Sequence, residues 1–191
     1  MTITVYGASS EQLARQYVEA ATDLGREIAQ HGHTLLNGAG RMGLMAASAN
    51  ACLQAGGEAI GVIPQFMVDR GWQNVAMTRI DVVSDMHSRK QRMADLSDAC
   101  IALPGGVGTL EELLEIITWK QLGLYLKPIV ILNVGGYYDD LLKQFRRAAE
   151  ESFMRPQHMA LYAACTTATE AVQLCETTSL WNGCVGKFAT M

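Results

Sequence analysis

Short β-rich runs ending in glycine or proline alternate along this chain with longer stretches of helical periodicity. That alternation confines it to very few folds. Ile3 to Tyr6 stops at Gly7, Thr34 to Leu36 runs toward Gly38, Glu58 to Ile63 ends at Pro64, and Ala99 to Leu103 ends at Pro104-Gly105-Gly106. Within 11–30, Leu13, Tyr17, Val18, Ala21, Leu24 and Ile28 recur at helical spacing. A small-residue helix opens from Gly38 to Gly43 and runs through Leu53, until Gly56-Gly57. Further helices are predicted from Asp85 to Leu96 (N-cap Ser84 or Asp85), from Leu110 to about Leu122, from Tyr138 to Phe153 and near Glu170 to Cys175. Arg79 to Val83, Pro128 to Leu132 and Ala163 to Thr166 read as strands, and 65–78 as irregular. Strands separated by helices predict a parallel, doubly wound sheet flanked by helices. The chain's 191 residues suffice for one such domain, over 1–180, with a tail over 181–191.

A Rossmann-like α/β sheet of this kind binds ligands beyond the carboxyl ends of its strands, beside helix N-termini. Three glycine-bearing turns fall there: Gly7-Ala8-Ser9-Ser10, Gly38 to Gly43, and Gly105 to Thr109. The net charge of -4 argues against a nucleic-acid partner, which a basic face would serve. A small anion needs only one local positive site. The five cysteines, Cys52, Cys100, Cys165, Cys175 and Cys184, form no CxxC pair. They read as reduced thiols of a cytoplasmic protein. The N-terminus lacks the pattern of a signal peptide, and no apolar run approaches the roughly 20 residues of a membrane span.

The stretch Ala99 to Glu112 carries the most chemistry. A buried strand meets three glycines, Gly105, Gly106 and Gly108, and a helix begins. Glycine lets backbone N–H groups approach an oxyanion, and the helix N-terminus adds free donors and partial positive charge. Together they make a phosphate cradle. It is neither a Walker loop nor a dinucleotide fingerprint, because the spacing differs. The same residues also spell a capping box, with Thr109 capping the helix and Glu112 bonding back. From the residues alone both readings stand. Leu110, Leu113, Leu114 and Ile117 fall on the expected buried side of the helix, with Glu112, Glu115 and Trp119 on another. Two carboxylates beside a phosphate repel it unless a cation intervenes. At least one is therefore expected to act on the sugar.

Pro104-Gly105-Gly106-Val107-Gly108-Thr109-Leu110-Glu111-Glu112 resembles the PGGxGTxxE motif of the LONELY GUY family of cytokinin riboside 5'-monophosphate phosphoribohydrolases, once labelled lysine decarboxylase-like. Met86-His87-Ser88-Arg89-Lys90 is similar to its second motif, an Arg-Lys pair preceded by Met-His. The likeness spans roughly residues 3–153. It implies hydrolysis of the N-glycosidic bond of a nucleoside 5'-monophosphate, a cytokinin riboside monophosphate or an AMP-like one, to free base and ribose 5-phosphate. No metal and no organic cofactor is needed. It implies Arg89 and Glu112 as catalytic residues. The implied substrate contacts are Lys90, Gly105, Gly106, Val107, Gly108, Thr109, Leu110, Glu111 and Thr118, with Ser9, Gly40 and Gly43 from the other turns. A homodimer with the site near its interface is implied as well, and the helix from Leu110 is compatible with a dimer contact.

The chain departs from the family pattern at Ala8, Ala39 and Ala46, where glycine or serine is usual, and at Gly71, where many members carry a substrate-touching glutamate. Phe66, Met67 and Trp72 are candidates for the base pocket, whereas Met42 and Met45 read as core or interface filler. His31 and His33 read as surface residues and His87 as a bystander. The alternative function is a non-catalytic nucleotide-binding or carrier module of the same fold, which would not need Glu112. Decarboxylation is disfavoured, since Lys90, Lys120, Lys127 and Lys143 lack a recognisable Schiff-base setting.

Overall fold

The computed structural model describes residues 1–182. In chain order the elements are β1 (Thr2–Tyr6), α1 (Arg15–Gln30), β2 (Thr34–Asn37), α2 (Gly43–Gln54), β3 (Glu58–Pro64), α3 (Gln65–Val68) and β4 (Arg79–Val83). There follow α4 (Met86–Leu96), β5 (Ala99–Ala102), α5 (Val107–Gln121), β6 (Ile129–Leu132), α6 (Asp139–Glu150), β7 (Ala163–Cys165) and α7 (Ala168–Thr177). The strands form one sheet in the order β4-β3-β2-β1-β5-β6-β7. Every pairing is parallel, as the alternation predicts.

Alternation along each strand divides the core into two layers. Ile3, Val5 and Leu35 face a cluster built with Leu24 and Ile28 of α1, Leu44 of α2 and Val172 of α7. Tyr6 and Leu36 face the opposite cluster, with Met93 of α4, Leu113 and Ile117 of α5, and Phe145 of α6. The strand order reverses between β1 and β5, so the loops after these two strands open a crevice at the switch point.

Several boundaries differ from the sequence expectation. Helix α1 starts at Arg15 rather than near Glu11, with Ala14 as an extended N-cap that offers no side-chain bond. Residues Gln65–Val68 form a single helical turn inside the stretch expected to be irregular. Helix α6 ends at Glu150, before Ser152 turns to a positive φ of 66°. Helix α7 extends to Ala168–Thr177, with Thr167 as its N-cap. Trp181 still packs on the core and donates its backbone N–H to Leu126, and the rest of the expected tail, from 183 on, lies outside the described residues.

Candidate active site

The loop after β5 is fastened from three sides. The hydroxyl of Tyr138 donates to the carbonyl of Leu103 (2.7 Å) and that of Tyr137 to Gly105 (2.8 Å). The backbone N–H of Ala8, from the loop after β1, donates to Pro104 (3.2 Å). Helix α5 then starts at Val107, three residues earlier than its apolar spacing suggests. Gly106 is its N-cap, and no side chain caps it. The N–H groups of its first turn therefore point, without intrahelical partners, into the crevice. Open space surrounds the missing Cβ positions of Gly106 and Gly108. The capping box is overturned: Thr109 lies within the first turn, its hydroxyl tucked beneath Gly105, and Glu112 turns to Arg89 instead.

Arg89 comes from α4, whose N-cap is Asp85, accepting from the N–H of Ser88 at 2.8 Å. Its side chain crosses the carboxyl ends of the strands. Nε donates to the carbonyl of Val62 (3.2 Å), and Nη1 stands 3.3 Å from Oε1 of Glu112. Both side chains are largely buried, at 8% and 12% exposed. Burial raises the Glu112 carboxyl above its ordinary pKa, while the Arg89 guanidinium pulls it down. Lys90, the next residue, turns the other way. Its amine bonds Glu111 and reaches Glu115 at 3.0 Å. Burial lowers the Lys90 pKa, but these two carboxylates outweigh it and leave the amine raised. The three carboxylates on this part of α5 thus share two cations, which offsets most of the repulsion that a phosphate would otherwise meet.

The opposite wall comes from the loops after β1, β2 and β3. Gly43, at φ +65°, sits where a Cβ would lie 2.4 Å from the carbonyl of Ala8, so that carbonyl can accept from the N–H of Leu44 (2.8 Å). The resulting cleft has a volume of about 630 Å³. Arg89, Glu112, Gly106, Val107, Gly108, Thr109, Glu111, Ser9 and Gly40 all line it. Gly105 and Gly43 lie behind it as backbone spacers, and Lys90 faces away toward Glu111 and Glu115. Thr118 falls on the outer face of α5 with Val107 and Leu114, and Leu110 borders that face while packing half-buried on the core, so neither lines the cleft of its own chain. Leu114, expected in the core, is 40% exposed there, and Ile116 takes its place inside.

The cleft also recruits residues the sequence reading set aside. Met42 and Met45, read as filler, line its apolar wall with Ile63, Met67, Trp72 and Met86. Met86 lies one turn before Arg89 on α4, a spacing that places the two on one face. Trp72 stacks under Arg70, which also lies over Phe66. Gly71 is an exposed turn residue at φ +69° outside the cleft, and Ala39 and Ala46 are buried behind it. Among the described residues, no lysine lines the cleft.

Residues 45–175 match a family model described as "Possible lysine decarboxylase". A cytokinin riboside 5'-monophosphate phosphoribohydrolase of Arabidopsis thaliana is 43% identical over 174 residues, 91% of this chain and 81% of the relative. A rice protein (Oryza sativa subsp. japonica) described as a probable enzyme of the same name is 42% identical, over 91% and 71% of the two chains. Among solved structures, the molybdenum cofactor binding protein of Rippkaea orientalis superposes with a TM-score of 0.71 at 25% identity, covering 92% of this chain and 95% of that one. The molybdenum cofactor carrier protein of Chlamydomonas reinhardtii gives 0.70 at 24%, over 93% and 98%, a likeness of fold.

Proposed function

The chain belongs to the LONELY GUY family of phosphoribohydrolases, and from that premise we propose that it hydrolyses the N-glycosidic bond of a nucleoside 5'-monophosphate. The observation that carries this reading is the buried Arg89–Glu112 pair, 3.3 Å apart, beside the uncapped N-terminus of α5. The 5'-phosphate takes the first-turn N–H groups of Val107, Gly108 and Thr109, where the helix dipole favours an anion. That places the ribose against Glu112 and the base along the methionine-lined wall. The apolar character of that wall supports a base bearing an apolar substituent, as in a cytokinin riboside monophosphate.

Cleavage breaks the bond from C1' to the base nitrogen and adds a water oxygen to C1'. The base leaves with a proton, and ribose 5-phosphate remains. Positive charge builds on the ribose ring as the bond lengthens. The Glu112 carboxylate opposes that charge and orients the attacking water. Arg89 holds Glu112 in its ionised form and offers its remaining donors to the ribose or the departing base. Lys90 keeps Glu111 and Glu115 from repelling the phosphate.

A homodimer belongs to the same reading. The outer face of α5 carries Val107 (84% exposed) and Leu114, borders the cleft mouth and includes Thr118. In a dimer that face puts Thr118 near the partner's substrate rather than its own. The cytoplasm is the proposed compartment. The described cysteines are free and buried, and none of the described helices is long and apolar enough to cross a membrane. We propose no nucleic-acid partner for a chain of net charge -4.

The test is a product assay with AMP and isopentenyladenosine monophosphate on wild type, Glu112→Ala and Arg89→Ala. Release of base and ribose 5-phosphate by wild type, reduced about 10²- to 10⁴-fold in each variant, supports the reading. A second reading, a non-catalytic carrier, is favoured by the fold likeness to the molybdenum cofactor proteins. Nucleotide binding with no product from any substrate would select it.

A further inference from the structure

At the amino ends of the strands, opposite the cleft, three potential metal ligands converge. Helix α1 ends at Gln30 with His31 as its C-cap, Gly32 turns the chain at φ +71°, and His33 leads directly into β2. The glycine lets the two imidazoles lean to the same side, where the last turn of α7 presents Glu176. Nδ1 of His31 lies 2.9 Å and Nε2 of His33 2.8 Å from the same carboxylate oxygen, Oε1 of Glu176. We propose that His31, His33 and Glu176 form a binding site for a transition-metal dication of the Zn²⁺ class, separate from the cleft.

The donor set suits such an ion. Two imidazoles and a carboxylate select Zn²⁺, Co²⁺ or Ni²⁺ over Mg²⁺ or Ca²⁺, which prefer all-oxygen shells. Zn²⁺ takes N and O ligands at about 2.0–2.2 Å, so ligand atoms around a tetrahedral ion stand roughly 3.3 Å apart. All three ligand atoms already lie within 4.8 Å of one another. Glu176, about a third exposed at the end of its helix, needs only a small shift to admit the ion. A supporting shell is present too. Oε2 of Glu27 lies 3.7 Å from Nε2 of His31, the ring nitrogen turned away from Glu176. Metal-bound histidines commonly donate that second nitrogen to a carboxylate. On His33 the corresponding nitrogen, Nδ1, faces the Met1 amino group at 3.4 Å; Nδ1 carries the proton once Nε2 holds the ion, so the Met1 ammonium must then turn away. Glu176 and Glu27 bring two negative charges against that one amine, which leaves a local field suited to a cation. The fourth position is open to water.

A bound ion would tie the end of α7 to the turn between α1 and β2. It would bind the folded chain and not the unfolded one, and so raise its stability. Tag-free protein is titrated calorimetrically with ZnCl₂, beside His31→Gln/His33→Gln and Glu176→Gln. The expected result is one Zn²⁺ per wild-type chain, with affinity at least a hundredfold weaker in the double variant and intermediate in Glu176→Gln. Tm should rise by about 5–10 °C at a hundredfold excess over Kd in wild type, by less in Glu176→Gln and hardly in the double variant. Cobalt-loaded wild type should show the visible absorption of a four-coordinate ion, and the double variant should not. Circular dichroism and nucleotide hydrolysis, unchanged in both variants, establish that they are folded. Zinc uptake equal in wild type and the double variant, or none in wild type, would overturn the site and leave a histidine–glutamate ion pair.

Discussion

The guanidinium of Arg89 occupies the space that a side chain at Gly38 would need: a Cβ there would lie 1.6 Å from Nη2. Gly38 belongs to the loop after β2, and its missing side chain lets the arginine cross from α4 to Glu112. Gly38→Ala should therefore push the guanidinium aside while leaving the buried core intact. Displacement of about 1 Å in a catalytic group costs on the order of a hundredfold. We expect kcat/KM for the nucleotide to drop by about that factor, with Tm within a few degrees of wild type. A variant with wild-type kinetics would show that Arg89 does not need this position.

The pH profile should report Glu112. Burial raises its carboxyl pKa and Arg89 opposes the rise. The proposed reaction uses the ionised form, so activity is expected above the raised pKa and lost as pH falls through it. The acid limb of kcat/KM should lie above the value of about 4.3 for a solvated glutamate. Arg89→Gln removes the lowering influence, so the limb of its residual activity should move further up. An acid limb at or below pH 4 in wild type would remove Glu112 from the role of carboxylate catalyst.

Much of this arrangement is legible in the sequence, because backbone requirements leave residue-specific marks. Strand–helix alternation gives the parallel sheet, and Gly105, Gly106 and Gly108 mark the turn between β5 and α5. Other features share one pattern between two outcomes. Thr109 and Glu112 spell a capping box, yet the helix starts early and Glu112 is drawn to Arg89, a contact between segments 23 residues apart that local spacing does not encode. Leu114 carries the same apolar signal as Leu113, and only the packing of α5 shows that it faces outward. Met42 and Met45 look like filler because methionine serves a core and a binding wall equally well. His31 and His33 meet Glu176 across 143 or more residues, a convergence no local motif announces.

Tyr137 and Tyr138 fasten the loop after β5 in different ways, and their phenylalanine variants should separate. Tyr138 is 1% exposed, and its bond to Leu103 lies in the core. Tyr138→Phe should cost about 1 kcal/mol, a Tm loss of roughly 2–4 °C. Tyr137 is 45% exposed and holds the carbonyl of Gly105, beside the proposed phosphate site. Tyr137→Phe should leave Tm nearly unchanged and raise KM several-fold. Scanning calorimetry and steady-state kinetics on both proteins check the division, and equal KM effects would contradict it.

Ala39 holds a left-handed conformation, φ 57°, while fully buried. Two bonds keep it there: its N–H donates to Oδ1 of Asn37 and its carbonyl accepts from the N–H of Asn74, each at 2.8 Å. Its methyl covers Gly61 so closely that a Cβ at 61 would lie 2.5 Å away. Gly61→Ala should cost about 1–3 kcal/mol by overpacking. Ala39→Gly relieves roughly 1–2 kcal/mol of backbone strain, but loses a buried methyl worth about 0.8 kcal/mol and adds unfolded-state entropy. It should be nearly neutral alone. The double variant should recover more than 0.5 kcal/mol of the Gly61→Ala loss, a coupling that denaturant unfolding can measure. Strict additivity would show that Met77, whose sulfur would lie 2.8 Å from the same Cβ, is the real obstacle.

The outer face of α5 decides whether the proposed homodimer exists. Val107 is 84% exposed, Leu114 40% and Leu122 56%, and the first two share a shallow depression with Leu110 and Thr118. Apolar groups this exposed on one helix side are expected at an interface rather than in solvent. Leu114→Glu puts a charge into that face without touching the cleft. If two copies meet through α5, light scattering should give twice the chain mass for wild type and the chain mass for the variant. Activity separates the two roles of the face. Should Thr118 serve the partner's substrate, the monomeric variant loses turnover as well as mass. Should it not, the monomer keeps wild-type kcat/KM. Wild type that runs as a monomer, with full activity, would confine the site to one chain and leave Thr118 outside it.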